Sequence, residues 1–277
     1  MKLSGVIVLY NPKEQFMANI NNYIDSLDKL YIVDNSEDKK NRIVSNKKIE
    51  YVKIGENKGV AYALNEGAKK AIKDGYKYLL TLDQDSKITN VIIGKMEDFL
   101  INNKDKNIGL ISPYQDIGNK EKIIDSDTED VVEVMTSGNI INLDAYQKIG
   151  GFKDWLFIDC VDTDYCMNLH KHGYKVLRFN KIKLKHELGN KSVHKLFGKE
   201  YICYNHNPIR RYYIMRNNYY INDMYKDLFP EHCAWLLRAQ KGQIKRIILF
   251  EKNKLKKLKM MYKGYKDYKK GIKGKIY

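Results

Sequence analysis

The chain has 277 residues, of which 43% are hydrophobic and 30% charged, with a formal net charge of +16. That composition supports a sizeable core and excludes a disordered chain, and no apolar run reaches the ~18 residues that would suggest a membrane-spanning helix. The charge is concentrated at one end: residues 241–277 hold 14 Lys/Arg and two acids, leaving 36 basic and 32 acidic residues in the rest. A local excess of this kind points to an anionic partner, whether a membrane surface, a nucleic acid or a phosphorylated substrate.

"GVIVLY" (5–10) is a continuous apolar, β-rich run stopped by Asn11-Pro12, as expected of a strand buried on both faces of a parallel sheet. It reads as a first strand and not as a signal peptide, because no small-residue cleavage site follows. "LYIVDNS" (30–36) repeats the design, and "IEYVKIG" (49–55) is a third, more alternating strand. Ala61, Leu64, Ala68 and Ile72 then recur at helical spacing, with Gly75 as the stop. "YKYLLTLDQDS" gives a fourth strand, "IGLISPY" (108–114) a fifth and "VVEVMTSGNII" (131–141) a sixth. "LDAYQKIGGF" is a short helix ending at Gly150-Gly151, and a helix within "DCVDTDYCMNLHKHGYKV" is closed by Gly173. "KIKLK" is a further strand, and from Pro208 the pattern turns helical. Strands alternating with helices predict an α/β chain with an open sheet. The four cysteines, Cys160, Cys166, Cys203 and Cys233, form no CxxC and read as free thiols of a reducing cytoplasm.

In open α/β sheets ligands bind beyond the carboxyl ends of the strands. Tyr10-Asn11, Asp34-Asn35 and Asp83-Gln84-Asp85 all fall there, and together they would make one polar rim. Two carboxylates separated by one residue suit a hard divalent cation, Mg²⁺ or Mn²⁺; the plain alternative is a solvated turn that ends a strand. An EF-hand does not fit, since Ile88 stands where the loop needs Gly and Gly94 where it needs Glu.

A second cluster places Asp159, Asp162 and Asp164 beside Trp155 and Phe157. One of the three serves as a helix cap, and a carboxylate among apolar groups can act as a general base. His170 and His172 read as helix-end residues, and Cys166 with His170 lacks the further ligand pair that zinc requires. His186 follows a strand and carries a metal or phosphate role as an alternative to a structural one. "HNPIRRYYIMRNNYY" interleaves Arg210, Arg211 and Arg216 with tyrosines. Guanidinium forks match phosphate oxygens, and the alternative is an amphipathic helix with its Tyr and Ile in the core.

Taken in order, "DNS", "ENKGVAYALNEG", "TLDQDS", "SGNII", "GGFKDWLFIDCVDTDYC", "KHELG" and "HNPIRRYYIMRN" resemble the family 2 glycosyltransferases over about residues 4–220, closest to bacterial rhamnosyltransferases. The resemblance implies a GT-A fold: an open mixed sheet flanked by helices, with a nucleotide-sugar half (1–105), an acceptor half (106–225) and a helical basic extension (226–277). It implies that Asp83-Gln84-Asp85 is the metal-diphosphate motif, that Tyr10, Asn11, Asp34, Asn35, Asn57, Asp83 and Gln84 bind the nucleotide, with Tyr10, Asp34, Asn35 and Asn57 on base and ribose, and that Asp162 is the catalytic base. Val161 departs from the family's Glu, so Asp159 is a second candidate for the base. His186 matches a metal ligand of some relatives, and Asp164, Arg210, Arg211 and Arg216 fall to diphosphate or acceptor. The implied reaction moves a sugar, L-rhamnose from dTDP-rhamnose, onto a lipid-linked saccharide for cell-surface polysaccharide, at the cytoplasmic face of the bacterial membrane; UDP-hexose and galactofuranose donors are the alternatives.

Three rivals fare less well. A sugar nucleotidyltransferase needs a Gly-rich phosphate loop, and "VIVLYNPKEQF" has no glycine. A nucleic-acid-binding protein or a non-catalytic glycan-binding protein leaves the acid clusters idle. In the basic tail, Ile244, Ile248, Leu255, Leu258, Tyr262 and Tyr265 recur at helical spacing with only Glu251 interrupting, which predicts a helix lying on an anionic membrane surface. The alternative is packing on the catalytic domain or on a second subunit of a homo-oligomer.

Overall fold

The computed structural model describes residues 1–12, 16–37, 46–117, 126–185 and 191–276. Two compact units emerge, one of Met1–Asp154 with Asp162–His186, the other of Trp155–Val161 with Glu187–Tyr277. The boundary expected near residue 225 does not coincide with this division.

In the first unit the apolar runs become strands. β1 (Leu3–Leu9) is buried at every residue, and β2 (Lys29–Asp34) and β4 (Tyr78–Asp83) are buried over most of their length. β3 (Ile49–Lys53) is half-buried, in line with its alternation. β5 (Ile108–Asp116), β6 (Thr128–Asp130), β7 (Asn139–Asn142) and β8 (Lys175–Lys185) complete an eight-stranded sheet in the order β3-β2-β1-β4-β7-β5-β8-β6. The four strands β3-β2-β1-β4 are parallel, whereas β7 runs antiparallel to both β4 and β5. The sheet is therefore mixed, as expected.

Helix α2 (Val60–Lys73) buries Ala61, Leu64 and Ala68 of the anticipated face, together with Ala63, Gly67 and Ala71, and leaves Ile72 half-buried. Small side chains on this face let it lie close on the sheet. α4 (Leu143–Ile149) is capped by the Asn142 side chain, which accepts from the amides of Asp144 and Ala145 at 2.9 and 3.3 Å. α5 (Val161–Lys171) follows the aromatic segment. The sequence pattern did not anticipate α1 (Phe16–Asn21) or α3 (Asn90–Asn102), which bury only two residues each, Phe16 and Ile20, and Ile93 and Met96. The strand expected over 131–141 is also corrected. β6 ends at Asp130 and β7 begins at Asn139, because Gly138 adopts φ +84° and turns the chain so that its N–H meets the Thr81 carbonyl at 2.7 Å.

In the second unit, β9 (Ser192–Leu196) and β10 (Lys199–Cys203) form an antiparallel hairpin, followed by α6 (Pro208–Tyr225), α7 (Pro230–Phe250) and α8 (Lys254–Lys269). The expected single tail helix is two helices, broken where Glu251 is extended and Asn253 sits at φ +57°. Glu251 does not interrupt an apolar stripe; it is 2% exposed and bridges Arg211 and Lys257, each at 2.7 Å. The stripe itself divides. Ile247 and Met261 face inward with Ile244 and Leu258 beside them, while Ile248, Leu255, Tyr262 and Tyr265 are exposed. No helix among the described residues is long and apolar enough to cross a membrane.

Gly264 sets how closely α8 approaches α6, since a Cβ there would lie 2.5 Å from the backbone oxygen of Tyr212. Backbone cannot swing aside as a flexible side chain can. Gly264→Ala is expected to destabilise the protein by ~1–3 kcal/mol, the usual cost of overpacking. Gly94→Ala, in open space on α3, should be neutral or stabilising by up to ~1 kcal/mol. Urea unfolding of the two variants checks the contrast.

Candidate active site

Parallel registry builds the first part of the site. Leu9 of β1 pairs with Asp34 of β2, and Val8 pairs with Asp83 of β4, so the three strands end side by side at one edge of the sheet. Tyr10, 45% exposed, and Asn11 continue from β1. The Tyr10 amide donates to Gln84 Oε1 at 2.9 Å and the Asn11 amide to Ser36 Oγ at 2.9 Å, tying the three strand ends together. Asp34 is fully buried; its carboxylate accepts from the Ser36 amide at 2.9 Å and from the Tyr51 hydroxyl. Asn35 donates to Asn57 Oδ1 at 3.0 Å and accepts from the Lys58 amide at 2.9 Å. The residues expected to bind the nucleotide thus lie in one connected rim.

The turn after β4 is held from below. The Asp83 amide donates to Ser86 Oγ at 2.9 Å, Ser86 Oγ bonds Ser137 Oγ, and Thr81 Oγ1 donates to the Thr136 carbonyl at 2.6 Å. Asp83 is half-buried and Asp85 exposed. Thr81, Ser86 and Ser137 were missed as supports. The signal was present in "TLDQDS" and "TSGN", where small hydroxyl residues close the turns that follow core strands.

Asp162 lies in the first turn of α5, half-buried, with Oδ1 accepting from the Thr163 amide at 3.0 Å. It lines a cavity of 270 Å³ together with Tyr114, Gln115, Glu133 and Arg178, and a narrow cleft together with Thr81, Thr136 and Asn139. The cleft brings it to within two residues of Asp83 along β4. A larger hollow, 630 Å³, lies by Met1, Asp28 and Glu97, where β1 begins, away from the carboxyl edge. Asp164 is fully buried and holds Lys153 at 2.8 and 2.9 Å, which makes it a brace for the preceding loop. Asn65, not anticipated, braces the same loop: it bonds the Phe152 amide and carbonyl at 3.0 and 2.8 Å and the Asp154 carboxylate at 2.5 Å.

The second unit holds the remaining candidates. Asp159, its side chain 12% exposed, pairs with Arg210 at 3.0 Å. Burial pushes its carboxyl pKa up, and the Arg210 and Arg211 guanidiniums work against that rise. Arg210 is 44% exposed, whereas Arg211 and Arg216 are 1% and 0% exposed. Arg211 is engaged by Gln243 and Glu251, and Arg216 by backbone carbonyls. The arginine cluster read from sequence therefore separates into one solvent-facing guanidinium and two interior ones. His186 lies outside the described residues.

The profile of "Glycosyl transferase family 2" matches residues 4–155, more than half of the chain. The chain belongs to this family. It is 29% identical over 296 residues to the dTDP-rhamnosyl transferase RfbF of Shigella flexneri, covering 98% of this chain and 96% of that protein. Among solved structures, S. aureus TarS matches with a TM-score of 0.58 at 15% identity, covering 98% of this chain and 49% of that one. GalNAc-T7 with UDP, GalNAc and Mn²⁺ matches with a TM-score of 0.56 at 13% identity, covering 88% and 54%. These likenesses give the glycosyltransferase a GT-A fold, built on the mixed sheet.

Among the described residues no group of three His, Cys, Asp or Glu could hold a metal ion. Asp83 and Asp85 nevertheless fit a divalent cation of the Mg²⁺ type, which typically takes one or two carboxylates and completes its shell from substrate phosphates and water. The exposed carboxylate of Asp85, on a turn fixed by Ser86, has the access that such sharing requires.

His206 in the second unit is held neutral. Burial and the nearby Arg210, Arg211 and Lys257 lower its pKa to about 3. The unfolded chain takes up this proton below pH ~6.5, and the folded one does not until far lower pH, so stability drains away as pH falls from ~6.5 toward 3. Replacing His206 with Gln should flatten this acid limb. Unfolding free energies at pH 7.5 and 4.5 test it: the loss between the two should be smaller in the variant than in wild type.

Proposed function

We propose that this enzyme transfers L-rhamnose from dTDP-rhamnose, with inversion, to a hydroxyl of a lipid-linked saccharide in the synthesis of a cell-surface polysaccharide. The observation that carries the reading is the registry of β1, β2 and β4, which gathers Tyr10, Asn11, Asp34, Asn35, Asn57, Gln84 and the Asp83/Asp85 pair on one edge. The sugar and base are supported by the near full-length similarity to a dTDP-rhamnosyl transferase.

An inverting transfer needs a base on the acceptor side and charge neutralisation on the leaving side. Asp162 takes the acceptor hydroxyl proton while that oxygen bonds to the anomeric carbon and the bond to the diphosphate breaks. Its half-buried place beside a cavity suits a carboxylate that must meet a hydroxyl and exclude bulk water. Asp83 and Asp85 would hold a divalent cation, which would supply positive charge for the departing diphosphate. Arg210, the solvent-facing guanidinium, is the arginine suited to a phosphate or acceptor contact.

A donor panel of dTDP-rhamnose, a UDP-hexose and UDP-galactofuranose with Mn²⁺ tests the reading. The true donor should stabilise the fold by ~2.7 kcal/mol at a hundredfold excess over Kd. Asp85→Asn should lose this metal-dependent stabilisation. Asp162→Asn should keep it and lower turnover by ~10²–10⁴-fold, the usual worth of a general base. Stabilisation by a UDP-sugar and not by dTDP-rhamnose reassigns the donor; full turnover in Asp162→Asn removes it as the base, with Asp159 next in line.

The tail supports a second element of the proposal, peripheral attachment to the membrane that carries the acceptor. On α7 and α8, Trp235, Ile248, Leu249, Leu255 and Tyr262 are 41–84% exposed, among lysines with few acids to offset them. Apolar side chains set in a basic field suit an anionic bilayer surface, where each cation contributes ~1 kcal/mol. Full-length protein should co-sediment with phosphatidylglycerol vesicles more than with phosphatidylcholine vesicles, and less at high salt. Leu255→Ser with Tyr262→Ser, both exposed, should weaken binding and leave the fold intact. Equal sedimentation of wild type and variant sinks the attachment.

A further inference from the structure

The segment just before α5 is built from unfavourable backbone. Phe157, Asp159 and Cys160 adopt φ of +67°, +62° and +61°, values that side chains with a Cβ rarely accept. Such conformations persist only where the surroundings over-determine them, and they gather at functional sites.

The surroundings here are two fully buried polar side chains and the end of the chain. Asn217 Nδ2 lies 2.9, 2.9 and 3.0 Å from the carbonyl oxygens of Leu156, Ile158 and Asp159. Arg216 Nη2 donates to the carbonyls of Trp155 and Leu156 at 3.1 and 3.3 Å, and its Nε donates to Asn217 Oδ1 at 3.0 Å. Arg216 Nη1 reaches the Gly274 carbonyl at 2.6 Å, and the Gly274 amide returns to the Trp155 carbonyl at 2.8 Å. The Ile276 amide donates to the Tyr213 hydroxyl at 2.9 Å, Phe157 stacks on Tyr213 at 5.0 Å, and Lys273 sits 4.6 Å from the Trp155 ring centroid.

We propose that Arg216, Asn217 and the C-terminal segment around Gly274 are positioning elements, which hold the 157–160 segment, with its left-handed Phe157, Asp159 and Cys160, so that Asp159 keeps its working geometry. The inference rests on the reading of the 159–162 region as the catalytic acids. Apolar side chains would fill the same space without the cost of desolvating a guanidinium and an amide. Asn217 instead directs its amide at carbonyls within and just before the strained segment, and Arg216 directs its fork at the carbonyls that lead into it, which fixes backbone conformation in a way that packing does not. The same segment delivers Asp159 to Arg210. Residues 273–276 are thus part of the apparatus around Asp159, as well as a carrier of charge.

The chain has two tryptophans, so Trp235→Phe leaves Trp155 as a local reporter of the segment. In that background Gly274→Pro removes the amide that bonds Trp155 and is incompatible with the φ of +81° at this position. Gly274 lies outside every helix and strand, so the substitution breaks no bond within α6 and acts through the contacts of Gly274 with Arg216 and Trp155. The expected result is a red-shifted, more acrylamide-quenchable Trp155 emission. Release of dTDP from dTDP-rhamnose should have a kcat lowered by about tenfold or more at unchanged KM, the pattern of a lost transition-state arrangement. Arg216→Lys, which keeps the charge and loses the fork, should show the same split. Unchanged emission, or shifted emission with unchanged kcat, overturns the proposal. Asp162→Asn and Asp159→Asn are measured in parallel: if both keep wild-type turnover, the reading of the catalytic acids fails, whatever the Gly274 result.

Discussion

Everything at the carboxyl edge of the sheet depends on β1 being a parallel strand between two parallel neighbours. Parallel pairing sends three chains out of the sheet at the same edge, and its register decides which residues emerge together. With Leu9 opposite Asp34 and Val8 opposite Asp83, polar residues that are far apart in sequence become one rim. A slip of one residue would turn every core side chain of the strand to the other face. Since both faces of β1 are covered and all its residues are buried, such a slip has no low-energy alternative. The position of the site is therefore secured by the hydrophobic core, and the one fully buried acid of the rim, Asp34, is compensated by the Ser36 amide and the Tyr51 hydroxyl.

This explains which parts were legible in the sequence. Runs such as "GVIVLY" and "YLLTL" are long and uniformly apolar, so both the strand and its abrupt polar end could be read. The acid clusters stood out for the same reason, as polar residues where apolar ones are the rule. α3 was not legible: with only Ile93 and Met96 buried, its pattern carries little periodic signal. The break between β6 and β7 was hidden because 131–138 is apolar enough to pass for strand, and one left-handed glycine decides otherwise. The roles of Thr81, Ser86 and Asn65 were hidden too, since their partners are brought to them only by the folded sheet.

The second unit follows a different logic. Arg211, Glu251 and Lys257 are almost wholly buried, and Glu251 bridges the two cations at the break between α7 and α8. A buried ion group of this sort is a weak source of net stability, because desolvation offsets most of the attraction. Its effect is on specificity: a register shift of α8 along α6 would leave a buried charge unpaired, at a cost of several kcal/mol. Gly264 acts in the same direction through close contact with the Tyr212 backbone. Together they explain why a tail that reads as one continuous amphipathic helix is instead folded back in two pieces.

The arginines show why residue type alone underdetermines role. Arg210, Arg211 and Arg216 share one helix within seven residues, and sequence pattern gives all three the same phosphate-binding chemistry. The helix period separates them. Arg210 faces out beside Asp159, Arg211 turns toward Glu251, and Arg216 is enclosed by the carbonyls of the 155–156 backbone. A guanidinium offers five donors in a fixed plane, so the fork that can seize a diphosphate can equally seize a set of carbonyl oxygens. What decides between the two is whether the acceptor is already supplied by the fold. For Arg216 it is, and the charge that looked available for substrate is spent on shaping the backbone next to the acids.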